Sequence, residues 1–131
     1  MTRGQALTAV VLTHLAINIA HGRAHAGASV PLPLPSALFV YLVILAGPLA
    51  GLGVWCWQPR IGAWIVAATM SGALVFGLIN HFMLAGPDHV LHVAPEWRAW
   101  FAVTAALLVA SEAAGAGVGV WAATRTPGRT S

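Results

Sequence analysis

The chain has 131 residues, 59% of them hydrophobic and only 7% charged, with a net charge of +3 from six arginines set against three acids. A soluble domain carries about 25% charged residues, so a soluble fold this small could not cover its own surface, whereas lipid as the surrounding solvent removes that need. The arginines form no basic stripe, which argues against nucleic acid as a partner, and the lone Cys56 excludes both an internal disulfide and a CxxC redox pair.

Four apolar stretches follow one another, and they predict one membrane domain over 1–131 with helices at about 6–25, 36–57, 61–84 and 97–123. The last three reach the ~20 residues that cross a hydrocarbon core. Pro31, Pro33 and Pro35 interrupt the chain before the second helix, with Ser36 as its expected N-cap. Gln58-Pro59-Arg60 turns the chain before the third, Gly86-Pro87-Asp88 breaks it after the third, and Pro95-Glu96 opens the fourth. The fold class expected is therefore all-α: an integral membrane four-transmembrane-helix bundle, antiparallel and up-down. Alternating helices put Trp55, Trp57, Trp64 and Trp121 at one side and Trp97 and Trp100 at the other, as an aromatic belt. Arg3, Arg60, Arg125 and Arg129 then share one side against Arg23 and Arg98, which puts both termini in the cytoplasm and the protein in the cell membrane. Gly47 with Gly51, Ala68 with Gly72, and Gly115 with Gly119 have the four-residue spacing that lets helix backbones approach closely in lipid.

The first segment has a rival reading. A basic start at Arg3, an apolar run and Ala24-His25-Ala26 together have the form of a cleavable signal peptide. His14 and Asn18 interrupt that run, however. At roughly 100° per residue, His14, Asn18, His21 and His25 fall within an arc of about 60°, a polar stripe that a discarded peptide has no reason to keep. The expectation is a retained helix.

Ionisable side chains inside membrane helices are costly, and they mark functional sites by default. At ~1.5 Å per residue, His21 lies ~28 Å from the cytoplasmic face and His81 on the third helix ~30 Å, so the two share a level near the outer interface. The loop carrying Asp88, His89 and His92 follows on that same side. Imidazole and carboxylate are ligands that copper, zinc and iron accept, and Cys56 belongs to the opposite face. His21, His25, His81, Asp88, His89 and His92 are therefore the candidate metal ligands, with His21 and His81 as the natural pair for a heme. A second, deeper pair lies nearer mid-bilayer: His14 at ~18 Å and Glu112 at ~16 Å share a depth and predict a buried polar pair between the first and fourth helices.

These residues support a small multi-pass membrane protein that binds a transition metal or heme through a histidine cluster at the outer face. A non-catalytic accessory or scaffold subunit, acting as a homo-oligomer or within a larger membrane complex, accounts for the small-residue faces equally well. A third reading is an enzyme acting on a lipid or quinone, with His14 and Glu112 as its acid/base pair.

Overall fold

The computed structural model describes residues 1–125; Arg129, counted above in the arginine bias, lies outside them. The described residues form four helical rods and no strand: α1 (Arg3–Gly27), α2 (Leu34–Trp55), α3 (Pro59–Met83) and α4 (Pro95–Arg125). Each start has a local cause. Thr2 and Gln5 close a reciprocal capping box on α1, at 3.2 Å and 2.8 Å. The other three helices begin on proline in their first turn, where the missing N–H costs nothing. That rule moves the start of α2: Leu34 and Pro35 are already helical, so Ser36 lies inside the helix and is not its cap.

Two stretches widen from α- to π-helical geometry: Val40–Ala46 within α2 and Ile79–Met83 at the end of α3. The first runs directly into Pro48, which has no N–H to offer Ile44 and would crowd its carbonyl. The second is closed by Leu84 N–H donating to the Ile79 carbonyl at 2.8 Å, and it carries His81. Single π-helical turns of this kind recur at functional sites.

α2, α3 and α4 are each long and apolar enough to cross a membrane. α1 is as long as α3 but falls outside that set, because its polar stripe of His14, Asn18, His21 and His25 lowers its hydropathy. α1 nevertheless runs along α4. The Arg3 guanidinium donates to the Arg125 carbonyl at one end, and the Trp100 indole donates to the Ala20 carbonyl at 3.1 Å near the other. Two apolar clusters bracket the polar residues between them. Leu7, Val11, Ala63, Val66, Met70, Ala122 and Ala123 pack at one end, and Ala24, Val93 and Phe101 at the other.

Small residues let the rods meet. A Cβ on Gly51 would stand 3.0 Å from the Gly62 carbonyl oxygen, and one on Gly62 would stand 2.6 Å from the Gly51 carbonyl oxygen. Gly47 lies on Thr69, Gly115 on Met70, and a Cβ on Gly119 would stand 2.7 Å from the Ala67 backbone nitrogen. The third expected pair does not work this way: Ala68 is exposed, and Gly72 has ordinary contacts with Val43 and Phe39. α3 meets both neighbours through Gly62, Val66, Ala67 and Met70 instead.

Gly62→Ala and Gly119→Ala are each expected to destabilise the protein by roughly 1–3 kcal/mol, because backbone rather than a flexible side chain occupies the space. Gly53 meets nothing within 4 Å, so Gly53→Ala should be neutral or slightly stabilising. Thermal melts in detergent separate these outcomes; equal melting of all three variants would show that the crossings have room to spare.

Candidate metal centre

Three imidazoles meet where α1, α3 and α4 converge. His21 and His25 come from successive turns of α1, and His81 from the π-helical end of α3. One ring nitrogen of each lies within 4.8 Å of the other two. His21 and His81 are each about 5% exposed, so the cluster is interior and not a solvated surface group. Phe101 of α4, fully buried, packs against all three rings at centroid distances of 4.7, 4.9 and 5.4 Å.

The neighbours assign the tautomers. The Thr104 hydroxyl donates to the Trp100 carbonyl at 2.8 Å, so its oxygen is left to accept from His21 Nδ1–H, also at 2.8 Å. His81 Nδ1 faces the Asp88 backbone carbonyl at 3.1 Å and the Asp88 carboxylate Oδ1 at 3.3 Å, both acceptors, so it carries its proton there. Each ring is thus left with a lone pair on Nε2, and the two Nε2 atoms face each other at 3.3 Å. Two neutral rings in these tautomers cannot bond to one another; a proton shared between the two nitrogens, or a metal ion between them, satisfies both. Two nitrogens bound at ~2.0–2.1 Å with a tetrahedral angle stand ~3.3 Å apart, which matches this separation.

Asp88 brings a carboxylate against the cluster. Its Oδ1 is buried, lies 3.2 Å from His25 Nε2 and 3.3 Å from His81 Nδ1, and makes no hydrogen bond. Its loop is tied down by Val90 N–H donating to the His81 carbonyl at 3.0 Å. The two loop histidines expected as ligands sit elsewhere. His89 Nε2 faces the Phe82 carbonyl at 3.3 Å and His92 Nδ1 the Gly86 carbonyl at 2.8 Å, with their rings 5.1 Å apart. Both therefore brace the loop outside the cluster. The two Nε2 atoms, 3.3 Å apart, stand closer than the ~4 Å that separates two nitrogens bound at ~2.0 Å on opposite sides of one metal.

The deeper pair is present. His14 Nε2 lies 3.4 Å from Glu112 Oε1, and both side chains are 2% exposed. The Asn18 amide approaches the same ring nitrogen at 2.9 Å and donates to the His14 carbonyl at 3.1 Å. The arrangement can hold a proton between imidazole and carboxyl, isolated from water. Two residues packed against the histidine cluster, Phe101 and Thr104, escaped the sequence reading. Their signal is the spacing Phe101, Thr104, Leu108, Ser111, Gly115, which repeats every three or four residues and marks the buried face of α4.

The chain matches no protein-family model, no curated protein and no solved structure.

Removing the deep carboxyl should cost more than neutralising it. Glu112→Ala leaves His14 without its partner in a buried site and is expected to lose about 1–3 kcal/mol. Glu112→Gln keeps a hydrogen-bonding group and should lose clearly less. Indistinguishable unfolding midpoints for the two variants in detergent would mean that no bond is made across the helices.

Proposed function

We propose that this protein is a four-span membrane protein that binds one transition-metal ion through His21, His25 and His81, with Asp88 as fourth ligand or counter-charge. The observation that carries this reading is the pair of facing ring nitrogens on His21 and His81, 3.3 Å apart and backed by a third imidazole and by the Asp88 carboxylate, which lies against His25 and His81. A nitrogen-rich set with one carboxylate suits zinc, copper or iron. Thr104 and the Asp88 carbonyl fix the two rings from behind, as outer partners of metal-bound histidines do.

The membrane arrangement rests on the helices. At ~1.5 Å rise per residue, the 25 residues of α1 are long enough to cross beside the three apolar rods. Its polar stripe is turned onto α3 and α4, with His14, His21 and Ala24 buried. The order of contacts, Gly47 on Thr69 and Gly51 on Gly62, Gly115 on Met70 and Gly119 on Ala67, supports up-down connectivity. With the arginine bias, both termini face the cytoplasm and the histidine cluster lies toward the outer face. Lipid covers the outward side of α2, the least buried of the three apolar spans.

Elemental analysis of detergent-purified protein is expected to find about one transition-metal ion per chain. His21→Ala and His81→Ala should each remove most of it, while His14→Ala, His89→Ala and His92→Ala should retain it. Thr104→Val leaves the ligands in place but frees the His21 ring, and it should weaken metal affinity ~10–100-fold. Full occupancy in a His21/His81 double-alanine variant, or metal-free protein that takes up no added ion, would overturn the centre. For topology, reporters fused after Gln58 and after Arg125 should read cytoplasmic and reporters near Ser29 and Ala94 outside; a reporter near Ser29 that reads cytoplasmic refutes the first crossing.

A further inference from the structure

A cavity of about 460 Å³ opens beside the histidine cluster, between α1 and the first half of α2. Its walls are apolar, including Leu15 and Ile19 of α1, Tyr41 and Ile44 of α2, and Phe76 of α3. Glu112 also lines it. One oxygen of that carboxyl, Oε1, is turned to His14. The other, Oε2, is buried and has no hydrogen-bond partner. An unpaired buried carboxyl oxygen costs the full loss of its hydration, and folded proteins seldom leave one without a use.

Gly77 shows where this oxygen looks. A Cβ placed there would stand 3.6 Å from Glu112 Oε2 and 3.9 Å from Cδ2 of His81. Gly77, Glu112 and His81 all line the cavity, so its space runs past Gly77 from the carboxyl to the histidine cluster. The cavity also reaches the outer surface of the bundle. Ile19 and Tyr41 both line it, and each is 61% exposed, so they flank an opening between α1 and α2. In the bilayer that opening faces acyl chains.

We propose that this cavity binds a membrane-soluble molecule bearing a hydroxyl group, which enters from lipid between Ile19 and Tyr41 and donates its hydrogen bond to Glu112 Oε2. The apolar walls select a greasy body, and the buried acceptor oxygen of Glu112 selects a donor at its head; at the other end the cavity is lined by His21, His25, His81 and Asp88. The volume takes a ring or glycerol-sized head and the first part of a tail, with the remainder trailing into the membrane. Two families of molecules share this chemistry, reduced quinones and lipid alcohols such as diacylglycerol. The assignment depends on Glu112 and Gly77 and needs no bound ion, although the proposed metal ligands His21, His25 and His81 border the same cavity.

The test uses detergent-purified full-length protein stripped of metal, so that failure of the metal centre leaves it untouched. Decylubiquinol is titrated against decylubiquinone under anaerobic conditions, and dioctanoylglycerol against its acetate ester, by calorimetry. In at least one pair the hydroxyl-bearing member should bind about tenfold tighter or better, one hydrogen bond to a buried acceptor being worth that much. The pair that discriminates identifies the source. Gly77→Val fills this part of the cavity and should weaken that binding at least about tenfold with the melting temperature preserved. If valine prevents folding, Gly77→Ala, whose Cβ would sit at ordinary contact distance, serves in its place. Binding that ignores the hydroxyl in both pairs, no binding in either, binding that requires the metal, or affinity unchanged in the Gly77 variant overturns the proposal.

Discussion

The bundle is organised by the need to bury a polar stripe among apolar helices. His14, Asn18, His21 and His25 occupy one face of α1, and in a medium without water each unpaired polar group costs several kcal/mol. They can be interior only where the facing helices offer partners at matching heights. α4 offers Glu112 opposite His14 and Thr104 opposite His21, two turns apart on both helices. Apolar and small-residue contacts alone would let α1 slide or rotate at little cost, because one methyl packs much like the next. The two polar contacts remove that freedom and set both register and rotation. With the stripe so placed, His81 from the end of α3 is brought within 3.3 Å of His21.

The same rods explain why space remains beside the cluster. α2 is drawn to α3 by the Gly47, Gly51 and Gly62 crossing, whereas α1 is drawn to α4 by its polar face. Residues 28–33, with Pro31 and Pro33, join α1 to α2 without helix and impose no close approach on them. Near the Gly47–Trp55 end α2 is held tightly to α3, and toward Leu34 it stays on α3, with Phe39 stacked on Phe76 at 4.9 Å. The gap that results is the cavity lined by Ile19, Tyr41 and Glu112.

Much of this was legible in the sequence, for reasons that are geometric. Rise per residue placed His14 level with Glu112 and His21 level with His81, because depth along a straight helix is simple counting. Helical periodicity put His21 and His25 on one stripe with the deeper polar residues. Proline and glycine punctuation located the four rods to within a few residues. Loop residues were a different matter. His89 and His92 have the spacing of ligands, but a loop side chain is directed by which carbonyls its turn leaves open, and those of Phe82 and Gly86 took the rings. Thr104 carries no sign of its role beyond being polar on an apolar helix. Ala68 and Gly72 have the right spacing on the wrong side of α3, since spacing fixes a face but not which neighbour lies against it.

For the metal centre proposed above, charge accounts for an acid carried by the loop and not by a helix. Three neutral imidazoles would leave a divalent ion's full charge inside a low-dielectric bundle, where an uncompensated charge is strongly disfavoured. A second carboxylate on α1 or α3 would offset it, but would burden the helix whenever no ion was bound. Asp88 avoids that conflict. It enters from the end of the bundle, on a segment anchored to the His81 carbonyl through Val90, and its Oδ1 reaches both His25 and His81. Before an ion binds, the carboxylate lies against two imidazoles; with an ion present, its charge opposes the added one at close range. Glu112, deeper and engaged with His14, is left to face the cavity with its second oxygen. The two acids thus lie at different depths along one cavity, Asp88 against the histidine cluster and Glu112 against His14.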